Sequence, residues 1–192
     1  MTRAERQQRT RDELVDAAER LFSRQGFHAT SIDAVAAEAG FTKGAVYSNF
    51  DSKEDLFFAV YERRVDRRVE EMESAVREAA TTVEAFERMA PGTEGRRESG
   101  DGWLAVFFEF WAHVLRHPEL KQRFATQHRR VIEPVAAALD VPGDSYKVAT
   151  AHFAMQLGLQ LERLTQPDVV DADFGRRMGR LLMEGGRDGL SG

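Results

Sequence analysis

Apolar residues recur at helical spacing along most of the chain. Leu14, Ala17, Ala18, Leu21 and Phe22 make one stripe and predict a first helix over about 8–24, stopped by Gly26. Residues 1–8 lack such a stripe and are expected to form a polar arm. Ile32, Val35, Ala36 and Ala39 fall at i, i+3, i+4 and i+7 and predict a second helix. Gly40 follows, where a helix can end in the left-handed region. Thr42 occupies an N-cap position ahead of a third, very short helix that turns Val46 and Phe50 inward. Thr30-x-x-Asp33 and Ser52-x-x-Asp55 both match the capping-box pattern. The second box opens a long helix over 53–80 without Gly or Pro, striped by Leu56, Phe57, Val60, Val65, Val69, Met72 and Val76.

Residues 90–102 hold four Gly and one Pro and predict a loop. A helix with a broad apolar face follows, from Trp103 to near Pro118, with Glu109, Ala112 and Arg116 opposite that face. The next helix starts at Pro118, and Pro134 is expected to kink or break it. Two more are predicted over 144–164 and 171–187, the latter striped by Phe174, Met178, Leu181 and Leu182. No strand pattern occurs, so the fold class is all-α. An N-terminal three-helix helix-turn-helix domain is expected over 1–51, running into the linking helix to about 61. A C-terminal helical bundle is expected over 52–192.

The second and third helices, joined by a tight Gly-containing turn, make the helix-turn-helix. An ordinary helical hairpin would have an outer face of Glu and Lys. Here that face is Lys43, Gly44, Ala45, Tyr47, Ser48 and Asn49. Small side chains let backbone approach a groove, and the others can bind phosphates or base edges. Thr42 sits at the same helix start, and Lys53 flanks the face. Thr30 or Ser31, at the start of the second helix, can touch a phosphate, although capping alone also accounts for them.

Gly26-Phe27, Thr30-Ser31-Ile32, Ala39-Gly40-Phe41, Lys43-Gly44, Val46-Tyr47, Asn49-Phe50 and Ser52-Lys53-Glu54-Asp55-Leu56 resemble the N-terminal domain of tetracycline-repressor (TetR) family transcription regulators. The resemblance covers about residues 9–61. It departs from the family at Asn49, where His is more common. It implies a homodimer formed through the last two helices, an inverted-repeat DNA operator and a small-molecule effector site in the C-terminal domain.

Net charge is −5, and residues 1–61 hold eight basic against ten acidic residues. What favours DNA is placement: four Arg against one Glu between Arg3 and Arg11, with Lys43 and Lys53 beside the third helix. The absence of Cys excludes disulfides, thiolate catalysis and Cys-ligated zinc. No N-terminal apolar segment and no run of about 20 apolar residues appears, so a cytoplasmic protein is expected.

Trp103, Phe107, Phe110, Trp111, Phe124 and Phe153 are more aromatic mass than a bundle requires. Packed core accounts for any one of them. For the group, the family resemblance implies a pocket, and an aromatic lining implies a flat or lipophilic effector. His128, His152, Gln156 and Gln160 are polar groups able to orient it. His113 and His117 stand at i, i+4 one turn after Glu109, a spacing able to hold a metal, but no third ligand is identifiable, so none is assigned. No cofactor motif is present. The leading reading is a ligand-responsive regulator, a repressor released from DNA by its effector, with the sign of regulation left open. The alternatives are a constitutive DNA-binding dimer without a pocket and, remotely, an enzyme. No nucleophile elbow, Gly-rich phosphate loop or paired-carboxylate site supports the last.

Overall fold

A computed structural model describes residues 2–81, 84, 100–139, 144–171, 173–175 and 177–181. The helices are α1 (Arg3–Gln25), α2 (Ile32–Ala39), α3 (Lys43–Tyr47), α4 (Lys53–Glu78), α5 (Gly100–Arg116), α6 (Pro118–Ala138) and α7 (Ser145–Thr165), with no strand among the described residues. The chain forms two compact units: residues 1–64 with 98–124, and residues 65–97 with 125–192.

In the first unit, α1 begins well before the predicted residue 8. Thr2 accepts the Glu5 amide, and the Glu5 carboxylate accepts the Thr2 amide at 2.8 Å. This reciprocal cap extends the helix through the polar segment, so Arg3 and Arg6 are helical rather than part of a loose arm. Gly26 ends α1 with φ 85°. Ser31, not Thr30, caps α2 by accepting from Ala34, and Thr42 caps α3 by accepting from Ala45. Ser52 accepts the Asp55 amide at 3.0 Å and opens α4. That helix runs 26 residues unbroken, about 39 Å at 1.5 Å per residue.

Leu14, Phe22, Phe27, Phe50, Leu56, Phe57, Phe58 and Phe110 are fully buried together with Val35 and Val46. The Phe57 ring stacks on Phe110 at 3.9 Å and meets Phe22 edge-on at 5.2 Å. Helix α5 starts at Gly100, so the predicted loop gives way to helix by that point; residues 90–99 lie outside the described residues. A Cβ on Gly102 would stand 2.3 Å from the Ser23 carbonyl oxygen, so glycine is what lets α5 approach α1.

Arg63 and Arg64 reach across from α4 to α1. Arg63 binds Asp16 and Glu19 at 2.5 and 2.6 Å, and Arg64 also binds Glu19. Intrahelical pairing does occur for Arg68 with Glu71. Arg123 binds Asp55 and Glu62 at 2.7 and 3.1 Å and lies over the Phe58 ring.

In the second unit, Val65, Met72, Val131, Ile132, Val135, Leu139, Val148, Ala149 and Val170 are buried, with His152 and Gln156 among them. Pro134 does not break α6, which continues to Ala138. Proline removes one intrahelical hydrogen bond, and the buried Val131, Ile132 and Val135 on the same helix offset that loss. Asp144 caps α7 through the amides of Tyr146 and Lys147. Residues 174, 175 and 177–181 are helical, as predicted; 171 and 173 are not, and 172, 176 and 182–187, Leu182 included, lie outside the described residues.

Candidate nucleic-acid interface

Helix α3 is five residues long and is held from behind by one fully buried side chain, Val46, with Phe50 just past its end. Its other side faces outward: Lys43, Gly44, Tyr47 and Ser48 are exposed, and Tyr47 keeps 51% of its surface. The Lys43 ammonium binds the Asp33 carboxylate at 3.0 Å. That hydrogen bond, together with the charge of Asp33, raises the Lys43 pKa and keeps the ammonium charged. A Cβ on Gly44 would meet only Thr42 Oγ1, at an ordinary 3.8 Å, so the space over Gly44 is open.

Ser48 Oγ and Asn49 Nδ2 donate back to the carbonyls of Gly44 and Ala45, both at 2.8 Å. They close the end of α3: Ser48 uses its one donor there and keeps its acceptor lone pairs, while Asn49 keeps a second amide hydrogen and its carbonyl oxygen for a ligand. Ala45 is half-buried beside them. Arg11, which pattern did not single out, donates to the Asn49 carbonyl at 2.8 Å and lies 4.3 Å over the Phe50 ring. It fixes α1 to the end of α3. A long-range side-chain-to-backbone contact leaves no periodic signal.

Two predicted contacts have other work. Thr30 is 1% exposed and its hydroxyl donates to the Gly26 carbonyl at 2.7 Å, so it neither caps α2 nor faces outward. The Lys53 ammonium donates to the carbonyls of Phe27, His28 and Thr30 at 3.1–3.3 Å and lies over the Phe27 ring, which commits it to the turn before α2. Ser31 remains exposed at the start of α2.

The predicted effector set divides between the units. Trp103, Phe107, Phe110, Trp111 and Phe124 belong to the first, where they pack ring on ring with Phe57 and Tyr61. Phe110 is fully buried, and Phe107 and Phe124 are 5% exposed, so these rings form core beside the helix-turn-helix. His128, Phe153 and Gln156 belong to the second unit. The His128 ring meets Phe153 edge-on at 4.8 Å, and Gln156 donates to the Gly175 carbonyl at 3.0 Å. Burial lowers the pKa of His128 and takes that of His152 down to about 4, the latter with help from Arg68. The same unit carries an open groove of about 670 Å³ lined by Val69, Val76, Pro134, Ala137 and Ala138 and edged by Glu73, Arg77, Arg130 and Glu133. None of these groove residues belongs to the predicted effector set.

Sequence reasoning also missed Glu109, which it placed on the solvent side of its helix. Its carboxylate instead accepts the amides of Phe27 and His28, both at 2.8 Å. Among the described residues no group of three or more His, Asp or Glu is arranged to hold a metal, and no helix is long and apolar enough to cross a membrane.

Comparison with known proteins agrees with this architecture. The model of the tetR family of bacterial regulatory proteins matches residues 14–60, and that of the C-terminal region of BetI-type transcriptional repressors matches residues 78–184. The HTH-type transcriptional regulator YfiR of Bacillus subtilis is 27% identical over 121 residues, 63% of this chain and 59% of that protein. The HTH-type transcriptional activator FasR of Mycolicibacterium smegmatis is 32% identical over 128 residues, 67% of this chain and 50% of that protein. The chain thus spans between half and three fifths of these relatives. A transcriptional regulator from Saccharomonospora viridis, solved in complex with choline, shares the fold with a TM-score of 0.75 at 22% identity, covering 92% of this chain and 96% of that one. The fatty acid degradation regulator FadR from Bacillus halodurans does so with a TM-score of 0.70 at 17% identity, covering 91% and 98%. Fold and helix-turn-helix define the class as transcriptional regulators. The chain belongs to the tetR family of bacterial regulatory proteins.

Proposed function

We propose that the chain binds double-stranded DNA as a homodimer and releases it when a small molecule binds the second unit. The observation that carries the DNA reading is the outer face of α3, where Lys43, Gly44 and Tyr47 stand clear over an open glycine and a single buried valine. Ala45, Ser48 and Asn49 complete the face, with Thr42 and Ser31 at the helix starts. With Lys53 held by the turn before α2, Lys43 is the main charge on the face, so much of the sequence choice rests on a few groove contacts and on DNA shape. Helix-turn-helix dimers place recognition helices about 34–36 Å apart, one turn of the duplex, which selects an inverted-repeat operator.

Residues 144–192 supply the dimer contact. Leu161, Leu164 and Leu181 are 44%, 41% and 58% exposed, an apolar surface suited to a second copy. The division of labour at about residues 51–61 follows, with DNA contact before it and dimer and effector contacts after it. In the second unit His128, Phe153 and Gln156 lie beside the buried His152, and the groove of about 670 Å³ offers apolar walls with charged edges. Effector binding there favours a conformation with the wrong helix spacing, and DNA weakens effector binding by the same factor. A repressor is the primary reading. The relative FasR is described as an activator, so the sign is decided by transcription in vitro.

Selection of duplexes from a random pool tests the DNA reading: an inverted repeat is expected, and recovery of no preferred sequence rejects it. Repeating the selection with choline, long-chain acyl compounds and planar aromatics tests the effector reading, because a constitutive dimer releases DNA for none of them.

A further inference from the structure

Helix α3 is too short to hold its own direction. Its five residues span about 7.5 Å, fewer than two turns, and a helix of that length is not stable in isolation. Its direction is set by what it is fastened to. Val46 is buried at its middle and fixes a point, about which so short a helix can still swivel. At its start the Lys43 ammonium pairs with Asp33 of α2 at 3.0 Å, but both side chains are more than half exposed, so this tie is weak.

The far end is held better, and from a different helix. Asn49 and Phe50 donate their amides to the Val46 carbonyl at 3.0 and 2.9 Å, which makes them one body with α3. Arg11 of α1 grips both. Its Nη1 donates to the Asn49 carbonyl at 2.8 Å, and its guanidinium lies 4.3 Å over the buried Phe50 ring. A planar cation that stacks on one residue and bonds the carbonyl of the residue before it fixes direction as well as distance. Helix α1 is a firm base for this grip, because Leu14 and Val15, one turn on from Arg11, are buried. Arg3, Arg6 and Arg9, earlier on the same helix, are exposed, whereas Arg11 is half-buried against the unit.

We propose that Arg11 is a positioning residue for DNA recognition: it sets the angle at which α3 enters the groove, and with it sequence discrimination, without touching DNA itself. This rests on the DNA reading above. A hydrogen bond to a base edge weakens steeply outside about 2.7–3.2 Å, so a swivel of α3 removes discrimination. Attraction to phosphates survives the swivel, because it carries no sequence information and is satisfied in many poses.

The full chain is compared as wild type, Arg11→Ala and Arg11→Lys. Fluorescence anisotropy measures affinity for the selected duplex and for a scrambled duplex of equal length, over a range of salt. Arg11→Ala is expected to bind the selected duplex about tenfold or more weakly and the scrambled one within about threefold of wild type. Its slope of log affinity against log salt is expected to match that of wild type. Arg11→Lys is expected to recover most of the loss, since a lysine can make the same two contacts, as Lys53 does with the Phe27 carbonyl and ring. Equal losses on the two duplexes overturn the proposal, because a merely destabilised domain loses both alike. A slope smaller by about one overturns it in favour of a direct phosphate contact. Wild-type affinity of Arg11→Ala for the selected duplex overturns it as well, and so does a failure of Arg11→Lys to recover. Hydrogen exchange at the Asn49 and Phe50 amides reads the grip without DNA. It is expected to rise about tenfold or more in Arg11→Ala relative to α4 amides, and an unaltered rate means that Arg11 does not hold α3. If wild type prefers no duplex, the DNA reading fails and this proposal with it, a result distinct from all the others.

Discussion

Residues 1–64 with 98–124 bury rings against rings; residues 65–97 with 125–192 bury an imidazole and a carboxamide and leave leucines exposed. In the first unit Phe22, Phe27, Phe57, Phe58 and Phe110 are at most 1% exposed, and arginines tie its helices together from outside. In the second, His152 and Gln156 sit inside while Leu161, Leu164, Val169 and Leu181 are at least 41% exposed. A unit that must hold a five-residue helix in register needs a core with little freedom, and interlocked aromatic rings provide it. On the proposed function, the second unit meets a second copy and a small molecule, and apolar surface outside with hydrogen-bonding groups inside suits both.

The comparison breaks most sharply at Phe110. Phe110→Ala removes a ring in contact with Phe27, Phe57 and Phe58 and is expected to cost about 3–5 kcal/mol. Both tryptophans, Trp103 and Trp111, belong to the first unit, so denaturation followed by their fluorescence reads this loss directly. A loss below about 1 kcal/mol would mean that the rings are not the close-packed core described.

The second unit is distinguished by acid sensitivity at His152. Its pKa is depressed by burial to about 4, so the unfolded chain takes the proton first. The stability it contributes is complete above the ordinary His value and is lost as pH falls towards 4. The loss is on the order of 2–3 kcal/mol. Exchange of α7 amides, corrected for the intrinsic rate, is expected to rise over that interval in wild type and to stay flatter in His152→Leu. His128, lowered in the same direction, adds to the effect.

The smallest structural effects belong to the reading face. Lys43→Ala breaks an exposed pair with Asp33 and is expected to leave the melting temperature near that of wild type. It should nonetheless reduce the slope of log affinity against log salt by about one, as expected for one lost phosphate contact. Gly44→Val adds bulk into open space, so melting stays near wild type while DNA binding falls. An unaltered affinity in Gly44→Val would show that α3 does not approach DNA as proposed.

Much of the first unit was legible. Helical spacing located α1, α2 and α4; Gly26 and Gly40 marked two helix ends; Thr42 capped α3 as its position implied. These are local features, set within a few residues. Legibility failed where a side chain reaches far along the chain. Glu109 lies 82 residues from Phe27, and Arg63 lies 47 from Asp16. Helical spacing sorts such residues by helix face alone, which points to solvent or to a partner on the same helix. The capping box at Thr30 failed by one position because Ser31 offers the same hydroxyl, and burial claimed Thr30.

The aromatic residues mark the limit of local reading most clearly. Periodicity identified Trp103, Phe107, Phe110 and Trp111 as one rich helix face, and by itself it determined that this face is buried. It did not determine what the face is buried against, because a helical stripe has the same spacing whether it lines a cavity or fills a core. Only the tertiary structure decided that, by bringing α5 onto α1 at Gly102 and stacking Phe110 on Phe57, beside the helix-turn-helix. The short helix α3, by contrast, was determined by its own residues: a cap at Thr42, an inward Val46, and an outer face on which Lys43 and Tyr47 stand among small side chains.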